Sequence, residues 1–106
     1  MIRHCVFIRF RPAVTPAEKA EIYRGIAALG ERVAGMRTVH HGPNVSPETG
    51  MDKGFAEGFI IDFDHAAARD AYLVDDEHRR LGALIVAAAA GGVEGVLVFD
   101  LEVSGA

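Results

Sequence analysis

The stretch Ile2-Arg3-His4-Cys5-Val6-Phe7-Ile8-Arg9-Phe10 decides the fold. Its residues alternate, with Ile2, His4, Val6, Ile8 and Phe10 pointing one way and Arg3, Cys5, Phe7 and Arg9 the other. A period of two marks a β-strand. Both faces carry large apolar side chains. The last apolar run, Val96 to Val103, repeats the pattern: Val96 and Val98 lie on one side, and Leu97, Phe99, Leu101 and Val103 on the other. A third such run, Phe55 to Phe63, sets Phe55, Glu57, Phe59, Ile61 and Phe63 on one face and Ile60 opposite. Strands that are apolar on both faces are buried on both faces.

The segments between these strands read as helices. Thr15-Pro16-Ala17-Glu18 starts the first, with Thr15 as cap, Pro16 in the first helical position and Glu18 completing a capping box. Ile22, Ile26, Leu29 and Val33 recur at helical spacing beside Tyr23 and Ala27, and Gly30 or Gly35 ends the helix. A short strand, Met36 to His41, is stopped by Gly42-Pro43-Asn44, and a polar loop runs to Gly54. Asp64 is expected to cap a short helix from His65 to Leu73. Asp75 or Asp76 caps another, with Leu81, Leu84, Ile85 and Ala88 as its apolar stripe and Gly91-Gly92 as its stop. The order β-α-β-β-α-β is the ferredoxin-like arrangement, an α+β fold. Its four-stranded antiparallel sheet has strand order 4-1-3-2, and the helices lie on one face.

Helices on one face cannot cover both sides of this sheet. An uncovered apolar face is an interaction site. A second copy packed sheet to sheet about a two-fold axis is the simplest cover and makes the expected homodimer. A monomer with an exposed apolar face, or cover by a different protein, are the alternatives.

A chain of 106 residues fits one domain, expected to span 1–106. A net charge of −4, with basic residues scattered, argues against a nucleic-acid partner or an acidic membrane surface. The lone Cys5 forms no internal disulfide and reads as a core thiol. The N-terminal residues lack a signal peptide's layout, and the apolar run from Ala83 to Ala90 is too short to span a bilayer, so a cytoplasmic location is expected. No metal-binding spacing stands out, and no cofactor motif is present. His40 and His41 are adjacent in a strand and point to opposite faces.

Two residues carry the candidate chemistry. His78 lies three residues before Leu81 and seven before Ile85, on the apolar stripe of its helix. It reads either as a hydrogen-bonded structural histidine or as a neutral imidazole able to act as a general base. Gly82, one turn on, leaves room beside it. Tyr72, at the end of the preceding helix, supplies a phenol. Tyr72 and His78 converging on one cavity suit proton abstraction beside a carbonyl. Tyr23 is expected to line the same cavity. His4, Glu57 and Phe59 point from strands into the interior as candidate substrate-binding positions for a small apolar or carbonyl ligand. His4 and Glu57 lie at opposite ends of antiparallel neighbours and are not expected to pair.

The opening Ile2 to Arg11, Gly42 to Ser46, Gly54-Phe55, Asp70-Ala71-Tyr72-Leu73 leading to His78, and the closing Val98 to Val103 resemble stress-responsive dimeric α/β-barrel (Dabb) proteins across the whole chain. The resemblance implies a ferredoxin-like fold dimerised into an α+β barrel, in a family where many members have no assigned activity. A plant polyketide cyclase of the family carries its acid/base pair on a tyrosine and a histidine matching Tyr72 and His78. That likeness implies that His78 takes a proton from an activated carbon while Tyr72 holds the carbonyl, with an aldol ring closure to follow. The sequence departs where the family has His-Pro and this chain has Asp75-Asp76, and where the cyclase has a histidine and this chain has Glu57. A non-catalytic ligand-binding or stress-protective dimer is the alternative. Haem degradation, known in related barrels, lacks an axial ligand here.

Overall fold

The structure, a computed structural model, describes residues 1–104; Gly105 and Ala106, the end of the expected 1–106 span, lie outside the described residues. Strand β1 (Ile2–Ile8) is followed by helix α1 (Pro16–Ala28), strands β2 (Met36–Pro43) and β3 (Glu57–Phe63), helices α2 (Ala66–Val74) and α3 (Asp76–Ala88), and strand β4 (Val96–Glu102). The sheet is antiparallel in the order β2-β3-β1-β4, as the crossover rule requires. The expected strand to Phe10 stops at Ile8, and Phe10 makes only an isolated bridge to Ala89. No helix among the described residues is long and apolar enough to cross a membrane.

Local chemistry accounts for the helix starts. The Thr15 hydroxyl accepts from the Glu18 backbone amide at 3.1 Å, and the Glu18 carboxylate accepts from the Thr15 amide. Asp75 caps α3 by accepting from the amides of Glu77 and His78. The start of α2 corrects the sequence reading: its cap is His65, whose Nδ1 accepts from Ala68 N at 3.1 Å. Asp64 is drawn outward into an ion pair with Arg37. An imidazole nitrogen presents the same kind of acceptor as a carboxylate.

The helices cover one face. Ile2, His4, Val6 and Ile8 of β1 and Phe59, Ile61 and Phe63 of β3 are all buried, beneath Ile22, Tyr23 and Ile26 of α1, Tyr72 of α2, and Leu81 and Ile85 of α3. Leu84 departs from its expected place in the core stripe and is 44% exposed, because α1 meets α3 along the Leu81–Ile85 line. Among the described residues no second layer covers the other face, and Leu97, Phe99 and Leu101 of β4 are 43–57% exposed on it.

Two glycines differ in the room around them. A Cβ on Gly58 of β3 would lie 2.2 Å from the Val6 carbonyl oxygen, whereas one on Gly82 of α3 would meet nothing within 4 Å. Alanine in a helix interior is favoured over glycine by roughly 0.5–1 kcal/mol. Gly82→Ala is therefore expected to raise stability by about that amount in urea unfolding. Gly58→Ala is expected to lower it by at least about 1 kcal/mol, since it forces the strands apart.

Candidate active site

The residues singled out in the sequence divide into two groups at opposite ends of the helix-covered face. The first comprises His4, Tyr72 and His78. β1 carries His4 inward, opposite Ile61 of β3 and Asp100 of β4. The short α2 brings Tyr72 over it, with the two rings edge to face at 5.6 Å. The first turn of α3 sets His78 against Tyr72 with ring centroids 4.2 Å apart. Phe63 closes the cluster, 5.1 Å from Tyr72 and 6.1 Å from His4.

Tyr72 is fully buried and His4 nearly so. Tyr72 Oη and His78 Nδ1 are both shielded from solvent with no hydrogen-bond partner among the described residues. Buried polar atoms are almost always paired, so two orphans on touching rings stand apart from the rest of this interior. Burial raises the Tyr72 pKa, which keeps the phenol protonated. Burial also lowers that of His78, helped by neighbouring His4 and Arg79 and opposed by the Leu73 backbone and Asp75. The pair thus presents a proton donor beside a neutral base.

His4 is held from behind. Its Nδ1 lies 2.5 Å from Asp100 Oδ1, and Arg69 Nη1 donates to Asp100 Oδ2 at 2.6 Å. Burial pushes Asp100 up, but the bonds from His4 and Arg69 outweigh it and hold the carboxyl below its ordinary value. This backing was not read from the sequence, although the antiparallel pairing of β1 with β4 places Asp100 directly opposite His4.

The second group is Tyr23, Glu57 and Phe59. Tyr23 Oη donates to Glu57 Oε1 at 2.8 Å, and Lys19 Nζ donates to Oε2 at 2.7 Å. Burial raises the Tyr23 pKa, and the bond to Glu57 raises it further. Tyr23 stacks on His41 at 4.5 Å and meets Phe59 edge to face at 6.3 Å. The expectation that Tyr23 shares a cavity with Tyr72 and His78 is corrected, because the fully buried Ile8, Ile26 and Ile61 fill the interior between the groups. As expected, Glu57 stays apart from His4 and faces Ile8 instead. A groove of about 490 Å³ beside the β2–β3 loop includes Glu57 and Phe59 on its wall. A second, of about 340 Å³, lies between α1 and α3, and neither reaches Tyr72 or His78. Among the described residues no group of three or more His, Cys, Asp or Glu side chains is placed to hold a metal ion.

A four-stranded sheet under one helical layer, with a histidine–tyrosine–histidine cluster between them, defines a ferredoxin-like α+β domain. The chain belongs to the family described as the stress responsive A/B barrel domain, whose profile matches residues 2–103. The stress-response A/B barrel domain-containing protein HS1 of Arabidopsis thaliana is 25% identical over 101 residues, 95% of this chain and 88% of that protein. A dimeric ferredoxin-like protein of unknown function from Jannaschia sp. CCS1 is 31% identical, with a TM-score of 0.88 over 96% of this chain and 98% of that one. The hydroxynitrile lyase of Passiflora edulis has the same fold at 16% identity, with a TM-score of 0.81 over 97% of this chain and 93% of its own.

The depressed His78 pKa has a consequence for stability. The unfolded chain binds this proton near the ordinary value of about 6.5 and the folded chain only at lower pH. The contribution is therefore full above about pH 6.5 and is lost as pH falls through the folded value. Urea midpoints of the wild type should fall between pH 7.5 and pH 5, and the fall should be smaller in His78→Leu. An equal fall in both proteins would show that His78 is not held neutral by the fold.

Proposed function

We propose that the chain works as a homodimeric A/B barrel protein that performs acid/base chemistry on a small carbonyl compound through His78 and Tyr72. The carrying observation is the pair of orphaned polar atoms, Tyr72 Oη and His78 Nδ1, on rings 4.2 Å apart. A substrate carbonyl oxygen accepting from Tyr72 satisfies one, and the proton that His78 removes from the adjacent carbon satisfies the other. The C–H bond breaks, its electron pair moves towards the carbonyl oxygen, and the phenol holds the resulting enolate. The proton then returns to carbon, or the enolate carbon attacks a second carbonyl in an aldol closure, the C=O π pair moves to that oxygen, and the alkoxide takes the proton back from His78. No cofactor is required for either outcome. His4, fixed by Asp100, supports Tyr72 from the sheet side. Tyr23, Glu57 and Phe59 lie beyond the packed Ile8, Ile26 and Ile61 and take no part in this step. Homodimer formation is supported by the exposed apolar sheet face and by the dimeric Jannaschia relative.

One observation favours a second reading, a non-catalytic ligand-binding or stress-protective dimer: Tyr72 is fully buried and neither surface groove reaches it. In that case the orphaned atoms hold a ligand or water without turnover.

Proton abstraction is measurable without knowing the physiological substrate. A panel of β-diketones and aromatic ketones in deuterated buffer, followed by proton NMR, should show accelerated loss of the α-proton signal with the wild type. General acid–base groups contribute roughly 10²–10⁴-fold, so Tyr72→Phe and His78→Ala should each slow exchange by at least about 100-fold with unchanged circular dichroism. Binding of panel members with no exchange above buffer would support the non-catalytic reading, and folded variants as active as wild type would contradict the assignment of these residues.

A further inference from the structure

The three helices are not held alike. α1 and α3 lean on each other: a Cβ on Gly25 of α1 would come within 2.7 Å of the Leu81 side chain of α3. α2 buries only Ala68 and Tyr72, while Leu73 and Val74 at its C-terminal end are 41% and 63% exposed. Ala68 brings a single methyl group, so Tyr72 is the one large side chain that α2 sends into the core.

Both ends of α2 are single extended residues. His65 precedes it with φ −162° and ψ 169°, and Asp75 follows it with φ −65° and ψ 133°. Each joint is anchored on its far side. The Asp64 amide donates to the Gly35 carbonyl at 2.9 Å, and its carboxylate pairs with Arg37. Asp75 accepts from Arg32 and caps α3. Between the joints, one side-chain hydrogen bond among the described residues ties α2 to another element, Arg69 Nη1 to Asp100 Oδ2 at 2.6 Å. The remaining bond of Arg69 stays within the helix, to Asp70. A few element-terminal residues that absorb a change in φ and ψ around an intact helix make a hinge.

α2 covers the candidate site. His4 belongs to β1 and His78 to α3, and Tyr72 lies against both rings. Neither surface groove reaches them. Lifting α2 takes Tyr72 off His4 and His78 while α1, α3 and the sheet stay in place, and lowering it brings the phenol back.

We infer that α2 is a hinged gate over His4 and His78, latched by Arg69 on Asp100, whose closure carries Tyr72 onto the bound ligand. The inference rests on the reading of Tyr72 and His78 as the groups that meet the ligand, and adds the way the ligand reaches them. Closure of such an element excludes water and completes the reacting set in one movement. The latch shares its carboxylate with the support of His4, because Asp100 Oδ1 holds His4 while Oδ2 holds Arg69. Closing the gate and fixing His4 are therefore coupled.

Hydrogen exchange of the free protein, read by mass spectrometry, tests the gate with no ketone present. The helical amides at 70–74 should exchange more than about tenfold faster than those of α3 and β1, with a weaker dependence on urea, as local opening requires. A lost hydrogen bond to a charged group favours opening by about tenfold, so Arg69→Gln should speed exchange at 70–74 by that factor and leave α1 and α3 unchanged. Access is read separately in a Cys5→Ser background carrying Ala68→Cys. The thiol beneath α2 should react with N-ethylmaleimide about tenfold faster once Arg69→Gln is added. Exchange at 70–74 in step with α3 and β1, or Arg69→Gln leaving exchange or labelling at the unlatched rate of the parent, would overturn the gate. Should Ala68→Cys fail to fold by circular dichroism, the exchange data alone decide. None of these readouts involves turnover, so a gate that opens in a protein inert towards ketones would sink the acid/base reading alone.

Discussion

The constraint on which the rest of the structure depends is that the sheet is apolar on both sides while helices exist for only one. On the helix side, Val6, Ile8, Phe59, Ile61 and Phe63 are sealed beneath α1, α2 and α3. On the other side, Leu97, Phe99 and Leu101 keep about half of their surface. Burying apolar area is the dominant favourable force in folding and association, so that surface is a stored driving force for assembly. The same constraint is written in the blurred alternation of β1 and β4, which carry apolar side chains on both faces.

The same arrangement produces the candidate site. On the helix side every polar group is expensive unless satisfied. His4 meets that requirement through Asp100 and Arg69, and Tyr23 through Glu57 and Lys19. Tyr72 and His78 do not, and they are the two residues whose altered acidities suit donor and base. The contrast between satisfied and orphaned polar groups in one interior separates supporting residues from candidate reacting ones. Fold and chemistry are separate matters, because this fold is shared with proteins of unknown function and with a hydroxynitrile lyase.

Much of this was legible in the residues because it is local. The Thr15-Pro16-Glu18 start, the Asp75 cap and the period-two strands depend on neighbours a few positions apart, and the structure realises them. His78 and Tyr72 lie with ring centroids 4.2 Å apart, a meeting that the residues raised as a condition and the family resemblance implied. What escaped depends on choices between equivalent groups or on the packing of distant elements. Asp64 and His65 can both cap a helix, and the pull of Arg37 on Asp64 decides between them. Leu84 fits the apolar period, but the line along which α1 crosses α3 leaves it outside. The separation of Tyr23 from Tyr72 is set by the side chains that fill the space between them, which no local pattern encodes. The Asp100 support of His4 lay between: it follows once the β1–β4 register is written out.

The account stands on the claim that the bare side of the sheet is sheltered by a second copy. The solution mass of the wild-type chain, measured by light scattering across a dilution series from high to low micromolar concentration, tests it most directly. The account predicts twice the 11.3 kDa chain mass at the concentrated end. A mass of one chain at every concentration would contradict it.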